Sequence, residues 1–347
     1  MTAWRPDLLD GFEQLSLPIT EPQVYPGEPE DTEITATLVR AARRLDDAGE
    51  PGRTAVLYVH GWNDYFFQRH LADYWTRHGY AFHAIDLRRY GRSYREGQLF
   101  GFTTDLTEYF VELDRACEVI ASEYPRLLLM GHSTGGLIAS LYAAERRSMI
   151  ENGTLVALVL NSPWLDLQGS QTIRTLGPPM VQSLSTLRPT TPLPLPDPGF
   201  HRRATHLDHD GEWDYDLTLK GGEISLVRAG WLQAVLNGHQ RVARGLGIGC
   251  PVLVLAAGRT LFRRSWDEEM MRSDIVLDVR QIASRAVRLG PLVTVARIAD
   301  GMHDLLLSAA PVRERTFAQI TRWCGAYAPA QPAPEVARDE WAEVAAH

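Results

Sequence analysis

The residues most able to do chemistry lie at 131–135, where the sequence GHSTG satisfies the pattern G-x-S-x-G. An apolar run precedes the pattern and small residues follow it, so it falls between a predicted strand and a predicted helix. In such a turn the serine hydroxyl is presented at a helix N-terminus, whose dipole favours developing negative charge. We therefore interpret Ser133 as a nucleophile for carbonyl carbon; the alternative is a serine that only caps the following helix.

A serine hydroxyl is a weak nucleophile and needs a base within hydrogen-bond reach. Where a G-x-S-x-G turn supplies the nucleophile, the chain order is serine, acid and then histidine, so the base is expected after the last strand. The stretch VTVARIADGMHDLLLS, residues 293–308, puts His303 there. A histidine in a loop after a strand is by itself more often solvent-exposed, but the serine motif makes His303 the favoured base.

Negative charge that develops on a substrate oxygen needs backbone N–H donors placed in advance. In folds with this serine turn, one donor follows the serine and another follows an early strand. The run VLYVHGW, residues 56–62, ends a predicted strand with His-Gly. This nominates the N–H groups of Trp62 and Thr134. For His60 we favour a structural role, in which its hydrogen bonds brace the loop.

Short apolar runs alternate with helix-length segments along the chain. Continuous aliphatic runs predict buried strands, and apolar residues at helical spacing predict helices. The predicted strands are 32–42, 54–60, a run ending at Asp86, 126–132, 155–163, 251–257 and 292–299; the predicted helices include 104–124, 134–147, one between the last two strands, and 312–327. Strands separated by helices imply an α/β fold with a mostly parallel sheet covered on both faces.

The alternation stops between the predicted strands 155–163 and 251–257. The intervening stretch holds LRPTTPLPLPDPGF, residues 187–200, whose five prolines exclude a regular helix or a central strand. Long excursions inside a compact domain are usually lids or binding elements. We therefore predict an inserted cap, or lid, over residues 162–249.

The predicted cap divides the predicted core into two parts along the chain. The core comprises a first part, residues 1–161, and a second part, residues 250–327. Residues 328–347 are rich in Ala and Pro and then acidic, so we expect a poorly ordered tail.

Taken together, these motifs resemble the α/β-hydrolase fold family, and within it the group of monoglyceride lipases and serine aminopeptidase-like (lysophospholipase-like) proteins. The matching pieces are YVHGW, AIDLRRYGRS, MGHSTGG, PVLVLAA and GMHD, spread over residues 32–327 apart from the predicted cap. The resemblance implies hydrolysis of esters of small or lipid-like substrates. It assigns Ser133, His303, Trp62 and Thr134 the roles already argued from the residues.

The sequence departs from that group at the acid that orients the histidine. The group places an aspartate directly after the strand that corresponds to 251–257, but here AGRT follows, without a carboxylate, and then an insertion. The stretch SDIVLDVRQI, residues 273–282, offers Asp274, which resembles the group's aspartate followed by x-Val, and Asp278, which suits a helix N-cap. We predict Asp274 as the acid; Asp278 and Asp166, after an earlier strand, are the alternatives.

Trp164, Trp213 and Trp231 lie in or beside the predicted cap. Each alone is more simply explained by packing, but together they suggest an apolar wall that contacts substrate. The stretch HLDHDGEWDYD, residues 206–216, has the residue types of a metal site. Because His-x-x-His in an acidic loop is more often a solvated surface, we expect no metal there.

Composition and charge limit the function classes further. With 45% hydrophobic and 22% charged residues, a formal charge of −8 and scattered basic residues, the chain has no electrostatic footprint for nucleic acid. No uninterrupted apolar run is long enough for a membrane span, and the acidic first residues do not read as a signal peptide. Three widely separated cysteines form neither a disulfide framework nor a metal motif. We expect a reduced, cytoplasmic protein.

The sequence therefore predicts a serine hydrolase that cleaves a carboxylic ester through an acyl-enzyme, with no cofactor or metal. Two alternatives use the same residues on another bond: an aminopeptidase, which needs acidic residues in the cap to hold a free amino terminus, and an acyltransferase, whose cap excludes water. A non-catalytic ligand-binding relative is least favoured, because the serine, the histidine and the oxyanion turn are all present. Acyl chain length and oligomeric state stay open, since specificity in this fold depends on the cap.

Overall fold

A nine-stranded sheet runs through the part of the chain that the computed structural model describes, residues 3–42, 53–167, 171–195 and 198–331. Its strands are β1 (Arg5–Pro6), β2 (Phe12–Pro18), β3 (Thr35–Ala41), β4 (Thr54–Val59), β5 (Ala81–Asp86), β6 (Arg126–His132), β7 (Leu155–Asn161), β8 (Val252–Ala257) and β9 (Val293–Ile298). Their order is β1-β2-β3-β5-β4-β6-β7-β8-β9. The pairs β1–β2, β2–β3 and β3–β5 are antiparallel, and the remaining pairs are parallel.

Helices cover both faces of this sheet. They are α1 (Arg69–Arg77), α2 (Phe110–Ala121), α3 (Thr134–Glu145), α4 (Arg147–Glu151), α5 (Gln171–Leu187), α6 (Phe200–Thr205), α7 (Ala229–Arg244), α8 (Val279–Ala286) and α9 (Ala310–Tyr327). Alternate residues of a strand point to opposite faces, and in β4 Leu57 joins one buried cluster while Val56 and Tyr58 join another. The first cluster includes residues of α2, α3 and α7, and the second includes residues of α1 and α9. The continuous apolar runs reflect burial on both sides.

The structure confirms most predicted elements and moves some of their ends. The strands predicted from 126 and from 155 begin at those residues, and the predicted helix 312–327 forms the larger part of α9. The predicted helix 104–124 begins later than expected, because the side chain of Asp105 caps a short 3₁₀ turn, Leu106–Tyr109, before α2 starts.

Strands β1 and β2 are additional to the predicted set. In β2 the side chains of Phe12, Leu15 and Leu17 are buried, but Glu13 and Gln14 between them interrupt the alternation that marks a half-buried strand. Full pairing with β3, from Phe12 opposite Ala41 to Pro18 opposite Thr35, decides the conformation instead. The hydrogen bonds of the ladder thus override a weak local pattern.

The excursion between β7 and β8 contains α5, α6 and α7. The described residues between α5 and α6, which include most of the proline-dense stretch, form neither helix nor regular strand, as predicted, apart from an isolated bridge of Pro192 to Arg228. Helix α7 packs on α3: a Cβ at Gly238 would lie 3.1 Å from Leu141 and 3.2 Å from Leu137. Glycine therefore allows close approach between the excursion and the core.

The predicted disordered tail, 328–347, lies outside the described residues from 332 onward. Its first residues are described and follow the end of α9. The backbone N–H of Thr54 donates to the carbonyl of Ala330 at 2.8 Å, and the hydroxyl of Thr54 donates to the carbonyl of Pro329 at 3.1 Å. These bonds attach the segment after α9 to the first residue of β4.

Buried arginines fix the turn after β5, within the sequence AIDLRRYGRS. Arg89 and Glu28 are both fully buried and joined by two hydrogen bonds of 2.6 and 2.7 Å. Burial by itself raises the pKa of Glu28, but hydrogen bonds from Arg89 and from the Tyr25 N–H hold that pKa below its usual value. Arg92 likewise bridges Asp86 and Asp7. These pairs tie the turn to the chain that precedes β3.

We expect Arg89→Met to lower the free energy of unfolding by about 3–5 kcal/mol, because it leaves the Glu28 carboxylate buried without its partner. Arg263→Met is the control: its pair with Asp267, at 3.8 Å, is largely exposed, and its loss should cost less than about 1 kcal/mol. Urea denaturation followed by circular dichroism measures both. Equal stabilities of the two variants would contradict a structural role for the Arg89–Glu28 pair.

Candidate active site

Ser133 occupies a strained turn between β6 and α3. Its φ is 50° and its ψ is −116°, a region that residues with a side chain seldom adopt. A Cβ at Gly135 would lie 2.2 Å from the carbonyl oxygen of His60, and one at Gly131 would lie 2.6 Å from the carbonyl oxygen of Gly135. The two glycines of the motif are therefore required by close backbone packing around the serine.

A continuous hydrogen-bonded chain joins a hydroxyl, an imidazole and a carboxylate at this turn. The Oγ of Ser133 lies 3.0 Å from Nε2 of His303, and Nδ1 of His303 lies 3.0 Å from Oδ2 of Asp274. The exposed fractions are 8%, 3% and 0%, so water does not compete strongly for these bonds. The carboxylate favours the tautomer with hydrogen on Nδ1, which leaves Nε2 free to accept the serine proton.

The insertion after β8 folds back on the residues that directly follow this strand and so positions Asp274. The N–H of Asp274 donates to the carbonyl of Arg259, and the N–H of Leu261 donates to the carbonyl of Asp274, each at 2.9 Å. Oδ1 of Asp274 accepts the N–H groups of Val276 and Leu277 at 2.8 and 2.7 Å. With one oxygen held by the backbone, the other is directed at His303.

The two alternative acids have other partners. Asp278 is the N-cap of α8, and its Oδ1 accepts the N–H of Arg280 at 2.9 Å. Asp166 forms an ion pair with Arg285 at 2.9 Å. The structure thus brings Asp274, and neither of these two, into contact with His303.

The loop after β4 lies against the serine turn. A Cβ at Gly61 would be 3.2 Å from Cβ of Ser133, so Trp62 is the residue directly after this point of approach. Thr134 is the first residue of α3. The N–H of Leu87 donates to Nε2 of His60 at 3.1 Å, and Nδ1 of His60 is 2.7 Å from the carbonyl of Gly61. His60 therefore braces the loop, as the sequence suggested.

A second buried network, which the sequence reasoning missed, lies beside the first. Asp304 follows His303; its Oδ1 accepts from Asn161 Nδ2 at 2.7 Å, and its Oδ2 lies 3.9 Å from Nε2 of His132. Burial lowers the pKa of His132. Burial alone raises the pKa of Asp304, but His132 and the N–H of Leu306 hold it below its usual value. The sequence did offer one signal for this network: His132 directly precedes Ser133, and Asp304 directly follows His303.

A family model described as "Serine aminopeptidase, S33" matches residues 50–261. This match covers more than half of the chain and includes the serine turn. The chain belongs to the S33 serine aminopeptidase family. The match ends before Asp274 and His303, so the contact of those two residues is a finding of the structure alone.

Solved structures resemble this S33-family chain in fold. The monoacylglycerol lipase of Paleococcus ferrophilus is 18% identical, with a TM-score of 0.58 over 84% of this chain and 98% of that one. A soluble variant of the Saccharomyces cerevisiae monoglyceride lipase, solved with a substrate analog, is 16% identical, with a TM-score of 0.58 over 87% and 97%. A peroxisomal α/β-hydrolase of the same yeast is 14% identical, with a TM-score of 0.57 over 96% and 95%. No curated protein matches the chain by sequence.

These likenesses and the nine-stranded sheet confirm the predicted α/β-hydrolase fold of the S33-family chain. In addition, across its described residues no helix is long and apolar enough to cross a membrane.

The three predicted substrate tryptophans do not form one group. Trp231 of α7 is 2% exposed, and its ring centroid lies 4.1 Å from that of Trp62 and 6.0 Å from that of Trp164. The backbone N–H of Trp164 donates to the carbonyl of Ser133 at 3.0 Å. Trp213 lies apart from this cluster: its Nε1 donates to the carbonyl of Leu307 at 2.7 Å, and its ring lies against His70.

One histidine of the excursion faces His303. The half-buried ring of His201 lies 6.1 Å from that of His303. Burial, with charges on His303 and Lys220, lowers the pKa of His201 to about 3. In the stretch 206–216, by contrast, His206 is used locally, since Asp208 N–H donates to its Nδ1 at 3.1 Å. Among the described residues no group of three or more His, Cys, Asp or Glu could hold a metal ion.

Asp278→Ala should destabilise the protein by about 0.5–2 kcal/mol, because α8 loses its N-cap hydrogen bond. Asp278→Asn is the matched control and should stay near the wild-type stability, since Asn caps helices as well as Asp does. Thermal unfolding of the three proteins measures the difference. An alanine variant as stable as the wild type would show that the cap at α8 contributes nothing.

Proposed function

We propose that this protein is a serine hydrolase that cleaves a carboxylic ester through an acyl-enzyme on Ser133. The observation that carries the proposal is the buried chain from Ser133 through His303 to Asp274, with 3.0 Å at each step. Its membership of the S33 family supports hydrolysis as the reaction class. No step of the proposed chemistry needs a cofactor.

The geometry fits the two halves of such a reaction. As Oγ of Ser133 attacks the carbonyl carbon, its proton passes to Nε2 of His303, and the imidazolium is stabilised by Asp274. The N–H groups of Trp62 and Thr134 are the proposed donors to the oxygen that becomes negative. His303 then gives the proton to the leaving alkoxide, and the acyl group stays on Ser133. A water molecule then attacks the acyl-enzyme while His303 takes its proton. His303 returns a proton to Oγ of Ser133 as the acid leaves, which restores the free enzyme.

We assign the excursion 162–249 the role of a cap, and a lipid-like or small acyl ester as the substrate. Trp62, Trp164 and Trp231 place a cluster of indole rings next to the serine turn, and aromatic rings suit contact with an alkyl chain. Two structural neighbours bear the name of monoacylglycerol or monoglyceride lipase, which agrees with this substrate class.

An aminopeptidase acting with the same residues is the second candidate, favoured by the description of the family. It would need free carboxylates facing Ser133. In the acidic stretch 206–216, Asp210 pairs with Arg203, and Glu212 pairs with Arg313. Because two of its five carboxylates already pair with arginines and Oδ1 of a third, Asp216, accepts from Thr218, we prefer ester cleavage, with acyl transfer as a further variant of it.

We also propose a reducing, cytoplasmic setting. Cys117, Cys250 and Cys324 are all free and buried, and burial raises the pKa of each thiol to about 12. Free thiols without a disulfide framework are typical of proteins in reducing compartments.

The reaction is tested with p-nitrophenyl esters of graded chain length beside aminoacyl anilides. We expect ester hydrolysis to exceed anilide hydrolysis. Ser133→Ala should lose roughly 10³-fold or more in kcat with unchanged thermal stability. Asp274→Asn should lose roughly 10⁴-fold, because the amide stabilises the tautomer in which Nε2 carries the hydrogen. Labelling by a fluorophosphonate should require Ser133. If Ser133→Ala kept more than about a hundredth of the activity, the proposed nucleophile would be wrong.

Trp164→Ala should change the order of preference among ester chain lengths, because its backbone is bonded to the serine turn, its ring belongs to the tryptophan cluster, and its loss should enlarge the proposed acyl site. The control is Trp4→Ala, since Trp4 lies next to Arg40, near the antiparallel edge of the sheet. The measured quantity is kcat/KM for each ester. An unchanged order in Trp164→Ala, with all rates scaled equally, would refute a role of this residue in chain-length selection.

A further inference from the structure

A buried ion pair connects the loop that carries Trp62 to the excursion. Asp64, two residues after Trp62, is 5% exposed, and its Oδ1 lies 2.9 Å from Nζ of Lys220. Lys220 is the only lysine in the sequence. Its side chain is 12% exposed, so this ammonium interacts with Asp64 mostly out of contact with water, where such a pair is strongest.

Aromatic rings complete the surroundings of the ammonium. Nζ of Lys220 lies 4.2 Å from the ring centroid of Tyr215 and 4.8 Å from that of Phe67, within the range of cation–π attraction. Burial alone lowers the pKa of Lys220, but the charge of Asp64 outweighs it and raises that pKa above its usual value. Lys220 is therefore a permanent positive charge at neutral pH.

Two further contacts join the same two segments, residues 64–67 of the loop and 215–220 of the excursion. The N–H of Asp216 donates to the hydroxyl of Tyr65 at 2.9 Å. The ring centroids of Tyr215 and Phe67 lie 4.9 Å apart. Contacts of three kinds, ionic, hydrogen-bonded and aromatic, thus meet at one place.

The same segment of the loop is also attached to the core. The N–H of Phe66 donates to Oδ1 of Asp86 at 2.8 Å. Between this attachment and the packed Gly61, the stretch with Trp62 bends through Asn63, whose φ is 54°. An L-residue other than glycine seldom adopts this conformation, so it persists only where surrounding contacts impose it.

We propose that Lys220 is a positioning residue: through Asp64 it fixes the loop that carries the Trp62 N–H and so couples the cap to the oxyanion hole. The inference rests on the proposed function. Without the ammonium, Asp64 is a buried carboxylate with no cationic partner, and the loop must move to expose it to water. That movement displaces the N–H of Trp62 from the position that the developing oxyanion requires.

The first test is kinetic. Lys220→Met should lower kcat for the best ester by about 10- to 100-fold, a part of what the loss of an oxyanion donor costs, with KM changed by less than about threefold. Lys220→Arg, which keeps the charge, should recover most of the loss. Asp64→Asn should resemble Lys220→Met, and the double variant should be no worse than either single one, because both remove the same interaction.

The control is Arg241→Met. Arg241 also belongs to the excursion and pairs with an acid of the core, Glu145 on α3, but it does not belong to the contacts around the loop. Its replacement should leave kcat unchanged. A wild-type kcat in Lys220→Met, or additive losses in the double variant, would overturn the proposal even if the melting temperature fell.

A second test is independent of any substrate. In hydrogen exchange, amides of residues 61–68 should exchange faster in Lys220→Met than in the wild type, and at the wild-type rate in Arg241→Met. Unchanged exchange in 61–68 would overturn the proposal. The two ideas fail separately: if fluorophosphonate labelling or ester hydrolysis does not depend on Ser133, the proposed function is wrong, while the exchange data still decide whether Lys220 holds the loop.

Discussion

Two stretches of backbone touch at the centre of this molecule, and the candidate site depends on that contact. The carbonyl of His60, just after β4, leaves no room for a Cβ at Gly135, and a Cβ at Gly61 would lie 3.2 Å from Cβ of Ser133. β4 and β6 are neighbouring parallel strands, so both chain segments leave the sheet at the same edge. The hydroxyl and the proposed oxyanion donors are therefore brought together by the sheet before any side chain is considered.

Buried charged residues near this contact form ion pairs. Arg89 with Glu28, and Arg92 with Asp86, stabilise the turn that follows β5. Asp86 also accepts the N–H of Phe66 in the loop after β4, so the same carboxylate serves both the arginine and the loop. A buried pair adds little net stability compared with apolar residues, but loss of one partner is costly. Such pairs favour a single arrangement of the loops, which is what a preorganised site needs.

The excursion between β7 and β8 contributes to the site by contact rather than by chemistry. Helix α7 brings Trp231 against Trp62, and the segment that contains Lys220 reaches Asp64. His201 approaches His303 from the same excursion. Each of these contacts joins a residue of the excursion either to His303 or to the loop after β4. A substitution in the excursion is therefore expected to alter the surroundings of His303 and of the loop after β4.

The sequence by itself determined the local parts of this arrangement. The glycines around Ser133 are explained by one close-packed turn. The apolar runs predicted the parallel strands, and the order of residues along the chain predicted His303. Only the tertiary structure decided how Asp274 meets His303, because the register through the insertion depends on the bridge between Thr260 and Asp274. The tertiary structure also decided the strand β2, which forms by pairing with β3 although its apolar and polar residues do not alternate clearly. It likewise decided the ion pair of Lys220 and Asp64. Those two residues are distant in the chain, and no local periodicity records a contact that forms only when the excursion folds back over the sheet.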